Sequence, residues 1–243
     1  MKQSREPPGK EYVMFDHTSF FVTGTDTDIG KTYVARLLAD CFSHDHTTTY
    51  MKPVQTGCPV EPTGILRAPD FDMVMAGGAV MNGKYEQHVP YRYQPACSPH
   101  LAAAMAGETI SLDHIAECFE KVSSGMAVTI VEGAGGILAP LSETTFTIDL
   151  IAHLNLPVLL VTAPRLGTLN HTFLTLRVLR ECGVRVVGIV INNADNAPQS
   201  FILEENHRMI QAHTHPIPML SLSFDNCDSQ RLKDFSDAIT RQF

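Results

Sequence analysis

The chain has 243 residues, 44% of them hydrophobic, and a formal net charge of −8. That length suits one large α/β domain or two small ones with a substantial core. The acidic balance argues against a nucleic-acid or anionic-membrane surface, although a local basic cleft can still bind phosphates. No apolar run reaches the roughly 18 residues of a membrane-spanning helix.

Residues 1–17 lack the apolar core of a signal peptide and are expected to form a flexible leader before a single domain over 18–243. A strand is predicted over 19–23. It runs into Gly24-Thr25-Asp26-Thr27-Asp28-Ile29-Gly30, then Lys31-Thr32-Tyr33, where a helix predicted over 31–42 begins. This order of parts is a phosphate cradle: backbone N–H groups converge on an anion, a lysine adds charge and a threonine hydroxyl can ligate Mg²⁺. The spacing departs from the strict phosphate-loop pattern, because Thr25 stands where its first glycine would be.

The next strand, predicted over 47–52, ends in Lys52-Pro53-Val54-Gln55-Thr56-Gly57. Lys52 leaves the sheet edge toward the same cleft as Lys31, and two ammonium groups on one anionic centre suit phosphoryl transfer. Residues 53–95 read as a long irregular connection with one short helix near 72–76, and a connection that long is usually functional. Helices follow over 98–106 and 111–123. A strand over 127–132 then delivers Glu132 into Gly133-Ala134-Gly135-Gly136. A carboxylate on a strand beside a phosphate loop holds Mg²⁺ directly or through water, and the small residues let backbone approach a ligand.

Beyond a helix over 147–153 and a strand over 157–162 lies Arg165-Leu166-Gly167, leading into a helix over 169–182. The N–H groups of Thr168, Leu169 and Asn170 there form a second potential anion site, suited to a carboxylate. A strand over 184–192, a helix over 200–213, a strand over 217–220 and a helix over 229–241 complete the pattern. Near-continuous apolar strands alternating with amphipathic helices predict a doubly wound, mostly parallel sheet flanked by helices, a three-layer fold of the P-loop NTPase kind. The six cysteines lack CxxC spacing and are expected to be reduced and mostly buried in a cytoplasmic protein. His44 with His46, and His213 with His215, are expected to be loop histidines rather than metal ligands.

The motifs TGTDTDIGKT, KPVQTG, SPH at Ser98-Pro99-His100, VEGAGG, LGTLNH and GIVINN run in unbroken order from Phe20 to about Asn193. Together they resemble the dethiobiotin synthetases of the biotin pathway. The resemblance implies ATP- and Mg²⁺-dependent closure of 7,8-diaminopelargonate with CO₂ to dethiobiotin, through a carbamate and a carbamic–phosphoric anhydride. It implies that Lys31 bridges the β- and γ-phosphates, that Lys52 stabilises carbamate and phosphoryl, and that backbone from Asp28 through Ile29, Gly30, Lys31 and Thr32 to Tyr33 wraps the phosphates. Gly133, Ala134 and Gly135 would approach the nucleotide beside Glu132. Thr32 and Glu132 would ligate Mg²⁺ with a further carboxylate, for which Asp72 at the expected helix start is preferred to Asp70.

Thr27 and Thr56 would face the diamine. Asn192 would serve the adenine pocket; the family's later adenine loop commonly carries Gly-Glu before Ile-Pro, where this chain departs with Thr214-His215-Pro216 before Ile217-Pro218. The family's active site lies at a homodimer interface, so Gly167, Thr168, Leu169 and Asn170 would bind the carboxylate of a substrate in the partner's site. Rival readings are weaker. ParA/MinD-like switch ATPases usually carry an additional lysine where Thr25 and Asp26 stand, and a cobyrinate-type amide synthase needs a glutaminase domain for which the chain has no room.

Overall fold

The computed structural model describes residues 18–193, 201–224 and 227–243, so the leader expected over 1–17 lies outside the described residues. In chain order the elements are β1 (Thr18–Gly24), α1 (Lys31–Ser43), β2 (Thr48–Met51), β3 (Val54–Gln55), α2 (Pro69–Met75), α3 (Tyr85–His88) and β4 (Tyr91–Arg92). There follow α4 (Pro99–Ala106), α5 (Leu112–Ser123), β5 (Val128–Gly136), α6 (Thr147–Leu154), β6 (Val158–Thr162), α7 (Thr168–Glu181), β7 (Val186–Asn192), α8 (Phe201–Thr214), β8 (Met219–Leu222) and α9 (Ser229–Thr240).

The main sheet has six strands in the order β2-β5-β1-β6-β7-β8, and every pairing in it is parallel. Parallel neighbours require crossovers, so helices cover both faces and strands are buried on both sides. Alternation along the strands sorts side chains between two cores. Phe20, Val22, Tyr50, Ile130, Leu159 and Val161 meet α1, α2 and α9. Phe21, Met51, Val131, Val158, Leu160 and Ile189 meet α4, α5, α6, α7 and α8.

Local chemistry sets the helix ends. Ser111 caps α5 by accepting from the His114 N–H at 3.2 Å, and Asp228 caps α9 by accepting from Gln230 and Arg231, satisfying donors that a helix start leaves unpaired. The buried stripe Val34, Ala35, Leu38, Ala39 and Phe42 seats α1 on the sheet. Where α9 crosses β7, a Cβ on Gly188 would lie 2.9 Å from Leu159 Cδ1 and 3.0 Å from Phe235 Cζ. Gly188→Ala is therefore expected to destabilise the fold by about 1–3 kcal/mol through overpacking, measured as a lower urea midpoint at unchanged slope.

Residues 53–95 hold more order than their composition predicts. β3 pairs in parallel with β4, and α2 begins at Pro69, where the missing N–H and fixed φ of proline suit a first helical position. His88 is fully buried; one ring nitrogen lies 2.6 Å from the Tyr50 carbonyl oxygen, tying this connection to β2. The cysteines are all unpaired, but only Cys58 and Cys118 are buried, and Cys182 is exposed, correcting the expectation of a mostly buried set. Among the described residues no helix is long and apolar enough to cross a membrane.

Candidate active site

β1 lies between β5 and β6, the point at which chain order reverses across the sheet. In doubly wound sheets ligands bind there, outside the carboxyl ends of the strands. The loop after β1 turns sharply, with Asp28 at φ 55 and Gly30 at φ 82, and Gly30 caps α1 without a side-chain hydrogen bond. The first N–H groups of α1 thus face outward with the positive end of the helix dipole, a ready anion site. Lys31 Nζ curls back to donate to the Asp26 carbonyl at 2.9 Å.

Strand register then assembles the charged groups. Tyr50 pairs with Ile130 and Met51 with Val131, so the next residues along, Lys52 and Glu132, leave the edge side by side. Lys52 Nζ lies 2.6 Å from Glu132 Oε1 and 2.6 Å from Asp70 Oδ2. Glu132 Oε1 also accepts from the Thr32 hydroxyl at 2.8 Å, and Glu132 Oε2 accepts from the Tyr50 hydroxyl at 2.8 Å. Glu132 is only 1% exposed, Lys52 3% and Lys31 7%. Two ammonium groups and the Glu132 carboxylate are therefore almost dry at the phosphate loop, with Asp70, 28% exposed, at the mouth of the crevice.

Their electrostatics follow from that crowding. Burial disfavours charge on Lys52, but Glu132 and Asp70 outweigh it and hold its pKa above the ordinary lysine value. Burial would raise the Asp70 carboxyl; the Lys52 ammonium reverses the sign and holds it below the usual carboxylate range. Burial and then the Lys52 ammonium pull Lys31 down to about 8. A polyphosphate beside Lys31 would restore its proton. Nucleotide binding at about pH 8 is therefore expected to take up protons, with affinity falling as pH rises through that value. Calorimetry in two buffers of different ionisation enthalpy checks this, and equal heats in both would contradict it.

Asp70, not Asp72, joins the cluster. Asp72 Oδ1 pairs instead with Arg67 at 3.0 Å, where both side chains are about two-fifths exposed. The helix starts at Pro69, three residues before the expected position, and residues two apart on a helix do not share a face. Of the two candidates the sequence offered, Asp70 is thus the carboxylate beside Lys52 and Glu132, while Asp72 faces Arg67.

Hard oxygen donors from Thr32, Asp70 and Glu132 suit Mg²⁺. No group of three or more His, Cys, Asp or Glu converges among the described residues, and Mg²⁺ is commonly held by one or two carboxylates with substrate phosphates completing the shell.

The remaining expected residues divide. Asn192 is buried and donates its side-chain amide to the Ile29 carbonyl at 3.0 Å, bracing the phosphate loop. Gly133 closes the buried part of β5, while Ala134 and Gly135 are half-buried. Thr27 is exposed and Thr56 half-buried. Gly167 and Asn170 are exposed, Leu169 is half-buried, and Thr168 turns its hydroxyl inward to Thr162 Oγ1 at 2.8 Å. The turn at Thr214, His215 and Pro216 is not at this edge. It joins α8 to the start of β8 and shares a 440 Å³ hollow with Arg185 and Val186 at the opposite ends of the strands.

Sequence reasoning missed Tyr50, Arg165 and Thr162. Arg165 Nη2 donates to Asp26 Oδ2 at 2.6 Å. Thr162 Oγ1 meets Thr25, Thr168 and Thr172 hydroxyls at 3.2, 2.8 and 3.0 Å, linking the phosphate loop to the start of α7. For Tyr50 a signal existed: a polar-tipped aromatic two residues before Lys52 shares its face of the strand.

Comparison with known proteins places the chain among its relatives. The family model AAA_26, described as an AAA domain, matches residues 18–222. A protein of Anoxybacillus flavithermus named ATP-dependent dethiobiotin synthetase BioD is 38% identical over 203 residues, covering 83% of this chain and 89% of the relative. A protein of the same name from Fusobacterium nucleatum is 40% identical over 176 residues, 72% of this chain and 78% of the relative. One from Methanococcus vannielii is 35% identical over 192 residues, 79% and 86%.

Among solved structures, a putative plasmid partition protein of Borrelia burgdorferi bound to AMPPNP superposes with a TM-score of 0.59 at 9% identity, covering 93% of this chain and 99% of that one. A ParA family ATPase of Chlorobium tepidum gives 0.50 at 15% identity, covering 92% of each. At such identities the likeness is one of fold.

Proposed function

This chain belongs to the family of ATP-dependent dethiobiotin synthetases, and from that premise we propose how its crevice closes the cyclic urea of dethiobiotin. The observation that carries the reading is the placement of buried Lys52 between Glu132 and Asp70, beside a phosphate loop whose own lysine senses the same charges. One amine of 7,8-diaminopelargonate takes up CO₂ as a carbamate. A carbamate oxygen attacks the γ-phosphorus of ATP as the bond to the bridging oxygen breaks, giving ADP and a carbamic–phosphoric anhydride. The second amine then attacks the carbonyl carbon, and inorganic phosphate leaves.

Each residue answers one charge in that sequence. Backbone N–H groups from Asp28 to Tyr33 receive the β-phosphate, Lys31 bridges to the γ-phosphate, and Lys52 neutralises carbamate and migrating phosphoryl, positions at which preorganised charge counts most. Thr32, Asp70 and Glu132 would hold Mg²⁺, which supplies charge neutralisation across the phosphates when bound. The hydroxyls of Thr27 and Thr56 are assigned to the diamine.

The carboxylate end of the substrate is assigned to Gly167, Thr168, Leu169 and Asn170 of a second copy. Gly167 caps α7 without a side-chain hydrogen bond; the Thr168 N–H donates to the Arg165 carbonyl at 3.0 Å, so the N–H groups of Leu169 and Asn170 are the ones offered to the carboxylate. Beside them in the chain, Leu166 is 97% exposed, an apolar side chain that a partner would cover. Sedimentation of a fully active monomer would overturn this dimer.

The decisive assay incubates purified protein with 7,8-diaminopelargonate, bicarbonate, Mg²⁺ and each nucleoside triphosphate in turn. Mass spectrometry should find the cyclic urea, with one phosphate released per ring closed. Phosphate release indifferent to the diamine would point instead to a ParA/MinD-like ATPase switch.

A further inference from the structure

We propose that Tyr50 is the positioning residue of the divalent-ion site: its hydroxyl fixes which oxygen Glu132 presents to the crevice, and its ring supports the helix that brings Asp70. The proposal rests on the reading of Thr32, Asp70 and Glu132 as Mg²⁺ ligands. The last torsion of a glutamate side chain is broad and roughly two-fold, so a carboxylate keeps one orientation only where something outside it clamps it. Here the clamp is visible. Tyr50 is fully buried on edge strand β2, and its hydroxyl donates to Glu132 Oε2 at 2.8 Å. The other oxygen, Oε1, meets the Thr32 hydroxyl at 2.8 Å and the Lys52 ammonium at 2.6 Å. One oxygen is thus anchored in the core and the other faces the groups that work at the phosphate loop.

The ring does a second job. Its centroid lies 6.1 Å from that of Phe71, the residue after Asp70 on α2. Phe71 in turn packs edge-on against Tyr85 at 5.2 Å and against His88 at 5.4 Å. A single side chain therefore touches Glu132 directly and the support of Asp70 through packing, which sets the separation of the two carboxylates. Partners that orient ligating carboxylates in this way commonly carry 10–100-fold in metal affinity.

Tyr50→Phe separates the two jobs, since it keeps the ring and removes only the hydroxyl. With Mn²⁺ as the probe and a non-hydrolysable triphosphate bound, the paramagnetic resonance of free Mn²⁺ should show affinity weakened about tenfold or more, while nucleotide affinity without divalent ion stays within about twofold. In a Glu132→Gln background the same substitution should add nothing, because the hydroxyl acts through that carboxylate.

Mn²⁺ affinity within about twofold of wild type in Tyr50→Phe, alongside a clear loss in Glu132→Gln, overturns the role of Tyr50 and leaves the ligand reading standing. No loss in Glu132→Gln removes both. Should Tyr50→Phe not fold, 3-fluorotyrosine placed at position 50 keeps the hydroxyl. Its fluorine resonance must then move when Mg²⁺ joins the nucleotide complex, and an unmoved line overturns the proposal.

Discussion

Lys52→Ala is expected to lower turnover by about 10²-fold or more while leaving nucleotide affinity nearly intact. The ammonium is held at 2.6 Å by two carboxylates and is almost inaccessible to water. In such a site a fixed charge acts on the developing phosphoryl charge without solvent reorganisation, which is why a single stabiliser carries so much of the rate. The phosphate loop, by contrast, binds through backbone N–H groups and Lys31, which the substitution leaves in place.

The variant also leaves Asp70 and Glu132 facing each other without their shared cation. Breaking a buried pair costs about 3–5 kcal/mol, so Lys52→Ala should melt well below wild type and recover part of that loss in Mg²⁺. The sign with pH is fixed by Asp70. Its carboxyl is held below the ordinary range by Lys52, so the pair stabilises the fold above that range and the contribution fades as pH falls through the depressed value. The gap between wild type and variant should therefore narrow in acid. Turnover near wild type, by coupled assay of ADP release with the diamine present, would remove Lys52 from the mechanism.

Lys31→Ala is expected to weaken nucleotide binding by about 10–100-fold, the scale of a hydrogen bond to a charged group, and to lower the rate as well. Calorimetric titration with a non-hydrolysable triphosphate reads the affinity, and an unchanged value would contradict a phosphate role. Stability should move the other way. Burial and Lys52 pull Lys31 from 10.5 to about 8, so the protonated side chain is disfavoured in the fold relative to the unfolded chain. That penalty is fully present below about pH 8 and fades as pH rises toward the unfolded value. The melting temperature of Lys31→Ala relative to wild type should thus be most favourable near neutrality and lose ground in alkali. The opposite trend would mean that Lys31 is not held in a desolvated pocket.

The phosphate loop was legible in sequence because everything it needs is contiguous: an apolar strand, a tight turn, and a lysine and threonine at a helix start. Glu132 was legible for the same reason, as an acidic residue closing a buried strand. Asp70 was not. Choosing between Asp70 and Asp72 depends on where α2 begins, and that is set by Pro69 at its first position together with the seating of Phe71 in an aromatic cluster. Moving the start by three residues turns a different carboxylate toward Lys52.

By itself, the sequence determined the doubly wound architecture, the phosphate loop, both lysines and the family, because each is written in local pattern: near-continuous apolar strands, period-3.6 helices and short motifs at strand ends. Only the tertiary structure decided which carboxylate faces Lys52, that a phenol from an edge strand clamps Glu132, and that threonine hydroxyls join the phosphate loop to α7. Those contacts link residues up to 137 positions apart. They arise from strand register and helix rotation: a one-residue slip of a strand would send its side chains to the other face of the sheet, and a one-residue shift of a helix would turn its side chains by about 100°.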